Sequence, residues 1–222
     1  MHEAMDRRAG PKQLIYQKQA EQIIRNLNHR KIAGRYFDTA SEAVEEICRM
    51  IPPGAVVGLG GSETVIETGL LEALRKLDIN LLDRYRKDVT EQEVEEMRES
   101  GFTSDLFITS TNAITLDGIL VNQDGQGNRV ACLIYGPKKV IVITGMNKVT
   151  ENLEQAISRI KTIAAPMNAL RRNKLTPCSK TGVCHDAGCF PPNRICNQLV
   201  ITEGSRTRDR ITVLLIGSEY GF

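Results

Sequence analysis

Apolar positions along this chain alternate between a helical rhythm and short unbroken runs of the kind that buried strands leave. Leu14, Ile15, Ala20, Ile23, Ile24 and Leu27 recur at near-helical spacing and predict an amphipathic helix over Gln13–Asn28, whose stripe reads as a packing face. A short strand follows at Ala33–Phe37. Thr39 and Glu42 then form a capping box that opens a helix with Ala43, Val44, Ile47 and Met50 inward. Pro52-Pro53-Gly54 stops that helix, Ala55–Gly58 reads as a buried strand, and a helix is expected from Ser62 to about Lys76. Beyond a strand at Asn80–Leu82, Thr90 and Glu93 form a second capping box, and the charged helix behind it reads as a solvated face with Val94 and Met97 inward.

The stretch from Asp105 to Lys148 changes the rhythm. It carries β-type runs at Leu106–Thr109, Ile119–Val121, Val130–Tyr135 and Val140–Thr144, each ended by turn chemistry such as Asp117-Gly118, Asp124-Gly125, Gly136-Pro137 or Gly145. The expectation is a set of consecutive strands folded back on one another. Thr150 then reads as the cap of a helix bearing Leu153, Ala156, Ile157, Ile160 and Ala164, ended by Pro166. Two β-type runs, Gln198–Thr202 and Ile211–Gly217, close the chain. This alternation predicts an α/β fold: an open, mostly parallel sheet with helices on both faces, an antiparallel hairpin insertion and a Cys-rich loop. The expected division is an N-terminal helical segment over residues 1–30 and a single α/β domain over residues 31–222.

Composition narrows the function classes. The chain has 222 residues, 41% hydrophobic and 25% charged, with a net charge of +2, so it is globular and carries no strong global field for nucleic acid or anionic lipid. No helix-turn-helix or RNA-binding signature and no stretch of about 18 apolar residues is present, which argues against nucleic-acid and membrane partners. The start lacks the apolar core of a signal peptide, and a cytoplasmic protein is expected.

Candidate chemistry lies in the turns. Gly60-Gly61-Ser62-Glu63-Thr64 joins a strand to a helix, where backbone N–H groups at a helix start suit a phosphate or carboxylate; equally, Ser62 is an N-cap and the glycines serve a tight turn. Asn112, Asp124, Asn128, Arg129, Asn147 and Lys148 sit at or beside strand ends, where they would converge on a small anionic or phosphorylated ligand. Glu63, Asp117 and Asp124 are the available acids and bases, although Asp beside Gly is commonly a turn former. Residues 171–198 are rich in Gly and Pro and hold Cys178, Cys184, Cys189 and Cys196. Spacings of five, four and six residues match neither zinc-ribbon pairs nor the ferredoxin run, so zinc, an iron–sulfur cluster, free thiols and disulfides stay open, with His185 as a substitute ligand.

Several segments together resemble the LUD-domain (lactate-utilisation) proteins. They are the Gly60-Gly61-Ser62-x-Thr64 turn, Ser110-x-Asn112-Ala113-Ile114 with Gly118, and Asp124-Gly125-x-Gly127-Asn128-Arg129-Val130. Gly136-Pro137-Lys138-Lys139-Val140 and Gly145-x-Asn147-Lys148 complete the set. The cysteines, in Pro177-Cys178, Gly182-x-Cys184, Cys189 and Arg194-Ile-Cys196-Asn197, are similar to those of the cysteine-bearing branch of that family. The resemblance implies a NagB/RpiA/CoA-transferase-like sheet and a role beside iron–sulfur protein subunits in oxidation of L-lactate to pyruvate. It supplies no catalytic residue. Alternatives are a stand-alone isomerase or acyl-transfer enzyme of that fold, or a redox protein built on the cysteines; a homo-oligomer is compatible with each.

Overall fold

The computed structural model describes residues 10–184 and 188–222. Helix α1 (Pro11–His29) leads into strand β1 (Ala33–Phe37), α2 (Ala40–Met50) and β2 (Val56–Leu59). The short helices α3 (Glu63–Glu67) and α4 (Leu70–Leu74) precede β3 (Asn80–Leu81), α5 (Glu91–Gly101) and β4 (Leu106–Thr109). Next come β5 (Ala113–Thr115), β6 (Leu120–Asp124), α6 (Asn128–Ile134), β7 (Lys139–Gly145) and β8 (Val149–Thr150). Helices α7 (Leu153–Arg159), α8 (Ala165–Arg171) and α9 (Pro177–Thr181) precede the closing strands β9 (Gln198–Thr202) and β10 (Ile211–Ile216). No helix among the described residues is long and apolar enough to cross a membrane.

Six strands form one parallel sheet in the order β1-β10-β7-β4-β2-β3. Its central strands are apolar at successive positions because both faces are covered, as in parallel sheets generally. Ile141 and Ile143 of β7, with Leu214 and Ile216 of β10, pack under α2, α3 and α4. Their neighbours Val140, Val142, Val213 and Leu215 pack on the other face with Ala20, Ile23 and Leu27 of α1 and Leu133 of α6. The period of two in the strands and the stripe in α1 are therefore the same information read from two sides.

The second sheet, β8-β5-β6-β9, is the expected insertion: β5 and β6 form an antiparallel hairpin, β9 pairs antiparallel to β6, and β8 runs parallel to β5. Ala156 and Ile160 cover it, packing on Ala113 of β5 and Val121 of β6. Although only residues 203–210 separate them, β9 and β10 belong to different sheets.

Four local readings are corrected. Residues 130–135 are helical, since α6 starts after Gly127 (φ 93°) and buries Val130 and Leu133 while leaving Ile134 and Tyr135 exposed, a spacing of three that a strand does not give. The expected Asp105–Lys148 meander therefore reduces to one hairpin, with β4 and β7 in the parallel sheet. The helix expected to run to Lys76 breaks at Gly69 (φ 75°), where the backbone turns left-handed and α4 restarts. Asn152, rather than Thr150, caps α7, and Pro166 does not end the helical run: a π turn at Ile160–Ala164 precedes it, and the proline occupies the first turn of α8.

The α6 correction makes a stability prediction. Leu133→Ala should lower the unfolding free energy by about 2–5 kcal/mol, whereas Ile134→Ala should change it by less than about 0.5 kcal/mol. Denaturant titration of the two variants checks this; a strand would place Ile134 inside and reverse the order.

Candidate functional site

Strands β2 and β3 lie on one side of β4, and β7 and β10 on the other, so the chain leaves β2 and β4 in opposite directions. In open parallel sheets such a reversal opens a crevice at the C-terminal strand ends. The turn after β2 and the loop Ser110-Thr111-Asn112 after β4 meet there, and a cavity of about 500 Å³ opens between them, α5, α8 and the loop after β6.

The turn after β2 is tightly built. A Cβ on Gly60 would lie 2.5 Å from Thr109 Oγ1, and one on Gly61 would collide with the guanidinium of Arg84. Ser62 is an N-cap: its hydroxyl accepts from Val65 N (3.3 Å), while its own N–H donates to the Tyr85 hydroxyl (3.0 Å). The open cradle of backbone amides is thus partly closed by Tyr85, which also donates to Gly60 O (3.3 Å). Gly61 and Ser62 line the cavity; Thr64, fully buried, stands behind them.

Asn112, Asp124, Asn128, Arg129 and Lys148 also line the cavity, so most of the turn residues singled out in the sequence converge. Their roles differ. Arg129, 9% exposed, spends its guanidinium inside the protein: Nη1 donates to Ser110 O (2.9 Å) and Asn122 Oδ1 (2.7 Å), and Nη2 to Asn112 Oδ1 (3.1 Å) and Gln123 O (3.0 Å). Its Nε lies 3.4 Å from Asp124 Oδ2, whose other oxygen accepts from Gln126 N and Gly127 N. Arg129 is a strut, and the two-pronged grip on a ligand expected of it is already taken by the protein.

Lys148 is 2% exposed and has no carboxylate partner among the described residues; Nζ donates to Thr64 Oγ1 (2.8 Å) and Ser110 Oγ (3.1 Å). Burial, reinforced by the charges of Arg159 and Arg129 and opposed by Glu67, brings its pKa down to about 7. Asn147 does not join the lining: its amide donates to Gly221 O (3.0 Å) and accepts from Tyr220 N (3.2 Å), tying down the C-terminal segment whose Phe222 forms part of the wall. Of the proposed acids, Glu63 is ion-paired to Arg171, and Asp117 lies at a separate small cavity beside His29 and Arg30.

The arginines Arg84, Arg98, Arg171 and Arg172 complete the lining, and sequence reading missed all four. Arg98 comes from the helix read as solvated; its Nη1 meets Glu95 (2.6 Å), and its buried Nε has no partner among the described residues. Arg84 lies over the Tyr85 ring, 5.4 Å from the centroid, and Arg171 over Phe222 at 5.7 Å. Burial and then the charges of Arg171, Arg98 and Arg84 disfavour the charged form of Arg172, an electrostatic sign of crowded cations. The available signal was the basic residues Arg98 of α5, Arg171 and Arg172 at the end of α8, and Arg84 in the turn after β3, invisible to a reading based on apolar faces alone.

Among the described residues, none of the four cysteines of the loop is joined in a disulfide. Cys178 is buried on α9 with its sulfur 3.2 Å from Thr176 Oγ1, and Arg194 donates to Cys189 O and Cys196 O, both at 2.9 Å, which brings those two carbonyls together. Burial, and secondarily charge on Cys178, Cys184 and Cys189, raises the Cys196 thiol to about 11. Among the described residues no group of three or more His, Cys, Asp or Glu is arranged to hold a metal ion. His185 lies outside the described residues.

Because its donors fix the loop after β4 to the end of β6, Arg129→Ala should cost about 3–5 kcal/mol of stability through the orphaned Asp124 and carbonyls. Chemical denaturation measures it, and a loss below 1 kcal/mol would remove the strut role.

A crystal structure of a DUF162 family protein from Deinococcus radiodurans aligns with a TM-score of 0.48 and 11% identity, covering 92% of this chain and 97% of that one. The eIF2B delta structure from Chaetomium thermophilum aligns at a TM-score of 0.34 and 16% identity, over 54% of this chain and 50% of that one. No curated protein matches the sequence. The sequence model of the LUD domain matches residues 20–216, nearly the whole chain, and the protein belongs to the LUD-domain family.

Proposed function

We propose that this chain is a LUD-type metabolic protein that holds a small carboxylate or phosphate ester in the crevice at the ends of β2 and β4. In this reading it serves L-lactate or related 2-hydroxy acid utilisation, alongside iron–sulfur partner subunits. Membership of the family supports a role of this type at family level. The observation that carries the ligand class is charge: Arg84, Arg98, Arg129, Lys148, Arg171 and Arg172 line one cavity with only Glu63 and Asp124 opposing them. Both carboxylates are engaged by Arg171 and Arg129, and neither Arg84 nor Arg172 has a salt bridge among the described residues. Two like charges about 6 Å apart repel by roughly 3 kcal/mol at an effective dielectric of ~20, and an anion between them reverses the sign of that term. Arginine also suits carboxylate and phosphate oxygens in paired hydrogen bonds.

Titration calorimetry with lactate, pyruvate and inorganic phosphate tests the reading. Arg84→Ala and Arg172→Ala should each weaken binding about 10-fold or more while leaving the fold intact, as expected for charge-assisted hydrogen bonds. Affinity should also fall as salt is raised. Absence of binding by all three anions would reject the site.

Proton linkage gives a second check. Lys148 titrates near 7 in the free protein, and a bound anion favours its charged form. Binding should therefore take up a proton above pH 7, and affinity should decline as pH rises beyond that value and level off below it. Repeating the titration in buffers of different ionisation enthalpy counts the proton.

A further inference from the structure

The lysine at the floor of this cavity has a chemistry that anion binding alone does not use. Lys148 reaches the crevice from the turn after β7, and among the described residues its Nζ is held by two hydroxyls and no carboxylate. The direction of those hydrogen bonds is fixed by what lies behind them. Thr64 Oγ1 donates its own hydrogen to Tyr220 O (3.2 Å), and Ser110 Oγ has both Thr111 O and Thr64 Oγ1 at 3.4 Å as acceptors for its hydrogen, so both oxygens turn lone pairs toward Nζ. A neutral amine satisfies both with its two N–H bonds and keeps its lone pair. The wall around it is cationic, which recruits anions and works against protonation of the amine at the same time.

We propose that Lys148 is a covalent carbonyl-capture site, forming an imine with a small anion that carries a ketone or aldehyde, of which the 2-oxo acids are the first class. The assignment rests on the anion-binding reading above. The nitrogen lone pair adds to the carbonyl carbon as the π pair moves to oxygen. A proton then passes from nitrogen to that oxygen, giving a carbinolamine. The hydroxyl departs as water while nitrogen forms the double bond, so one carbonyl compound and one amine become one imine and one water. The cavity's arginines hold the carboxylate or phosphate, and Ser110 and Thr64 hold the amine in place. The surroundings of Nζ agree with a neutral nucleophile: burial lowers its basicity most, the charges of Arg159 and Arg129 lower it further, Glu67 raises it, and the balance leaves it titrating near 7.

Reductive trapping decides the matter. The full-length protein is incubated with pyruvate, with dihydroxyacetone phosphate or with lactate, treated with cyanoborohydride, and analysed by intact mass and peptide mapping. A carbonyl compound should add its own mass less one oxygen atom, on the peptide containing Lys148, and yield should rise with pH above about 7, because a bound anion holds the amine protonated to higher pH than in the free protein. Lactate, lacking a carbonyl, should give no adduct. Lys148→Arg, with folding verified by circular dichroism, should reduce labelling to background, and if that variant fails to fold, the wild-type peptide map still locates the adduct. Trapping by the phosphate ester alone would support capture but exclude the 2-oxo acids as its class. Labelling spread evenly over surface lysines, or none at Lys148 with either carbonyl compound, overturns the proposal. Calorimetry without reductant separates the two claims: pyruvate that binds but is not trapped defeats capture alone, and failure of every anion to bind defeats the site and capture together.

Discussion

The structure depends on one buried guanidinium. Removing an arginine from water costs several kcal/mol, and that cost is offset only when nearly every donor finds an acceptor in good geometry. Arg129 meets the condition with two backbone carbonyls, two asparagine side chains and Asp124. Its acceptors come from the end of β4 and from β6, which belong to different sheets. The parallel sheet and the inserted mixed sheet are therefore joined at the place where the crevice opens. Apolar packing holds each sheet to its helices, but it has no direction, and a directional joint is what fixes the distance between the two loops that face each other across the cavity.

Lys148 solves the same burial problem in the opposite way. It lies at the same end of the sheet, close enough to Arg129 to feel its charge, yet receives two hydroxyls instead of a carboxylate. Where Arg129 keeps its charge by being saturated, Lys148 gives up charge readily because it is not. The pairing places a fixed cation and a titratable amine side by side in one cavity, and it divides structural from chemical duty between two residues that look alike in the sequence.

Much of this was legible in the sequence. Continuous apolar runs at Val140–Thr144 and Ile211–Gly217 named the central strands because a strand buried on both faces has no polar position. Turn residues Asn112, Asp124, Asn128, Arg129 and Lys148 were found because strand ends collect functional groups. The run Val130–Tyr135 was misread: six residues rich in β-formers fit either period, and only burial of Leu133 against exposure of Ile134 separates them. The four arginines escaped for a different reason. Which way these charges point is decided by the packing of α5, α8 and the turn after β3 around the crevice, and local pattern carries no record of it. Asn147 shows the reverse error, a polar turn residue whose amide fastens the chain end instead of facing the cavity.

The bare backbone at Gly61 has a wider meaning. Arg84 lies across the space where a side chain would begin, so the position of that cation is set by an absence of atoms and by the Tyr85 ring, without a salt bridge among the described residues to anchor it. A charge held by room alone needs no counter-ion and keeps its full attraction for whatever enters. It can also be redirected by the smallest genetic change: a single methyl group at position 61 would swing one of the arginines aside without altering any charged residue. Diversification of ligand preference on such a scaffold can proceed through its glycines, leaving the count of charges as it was.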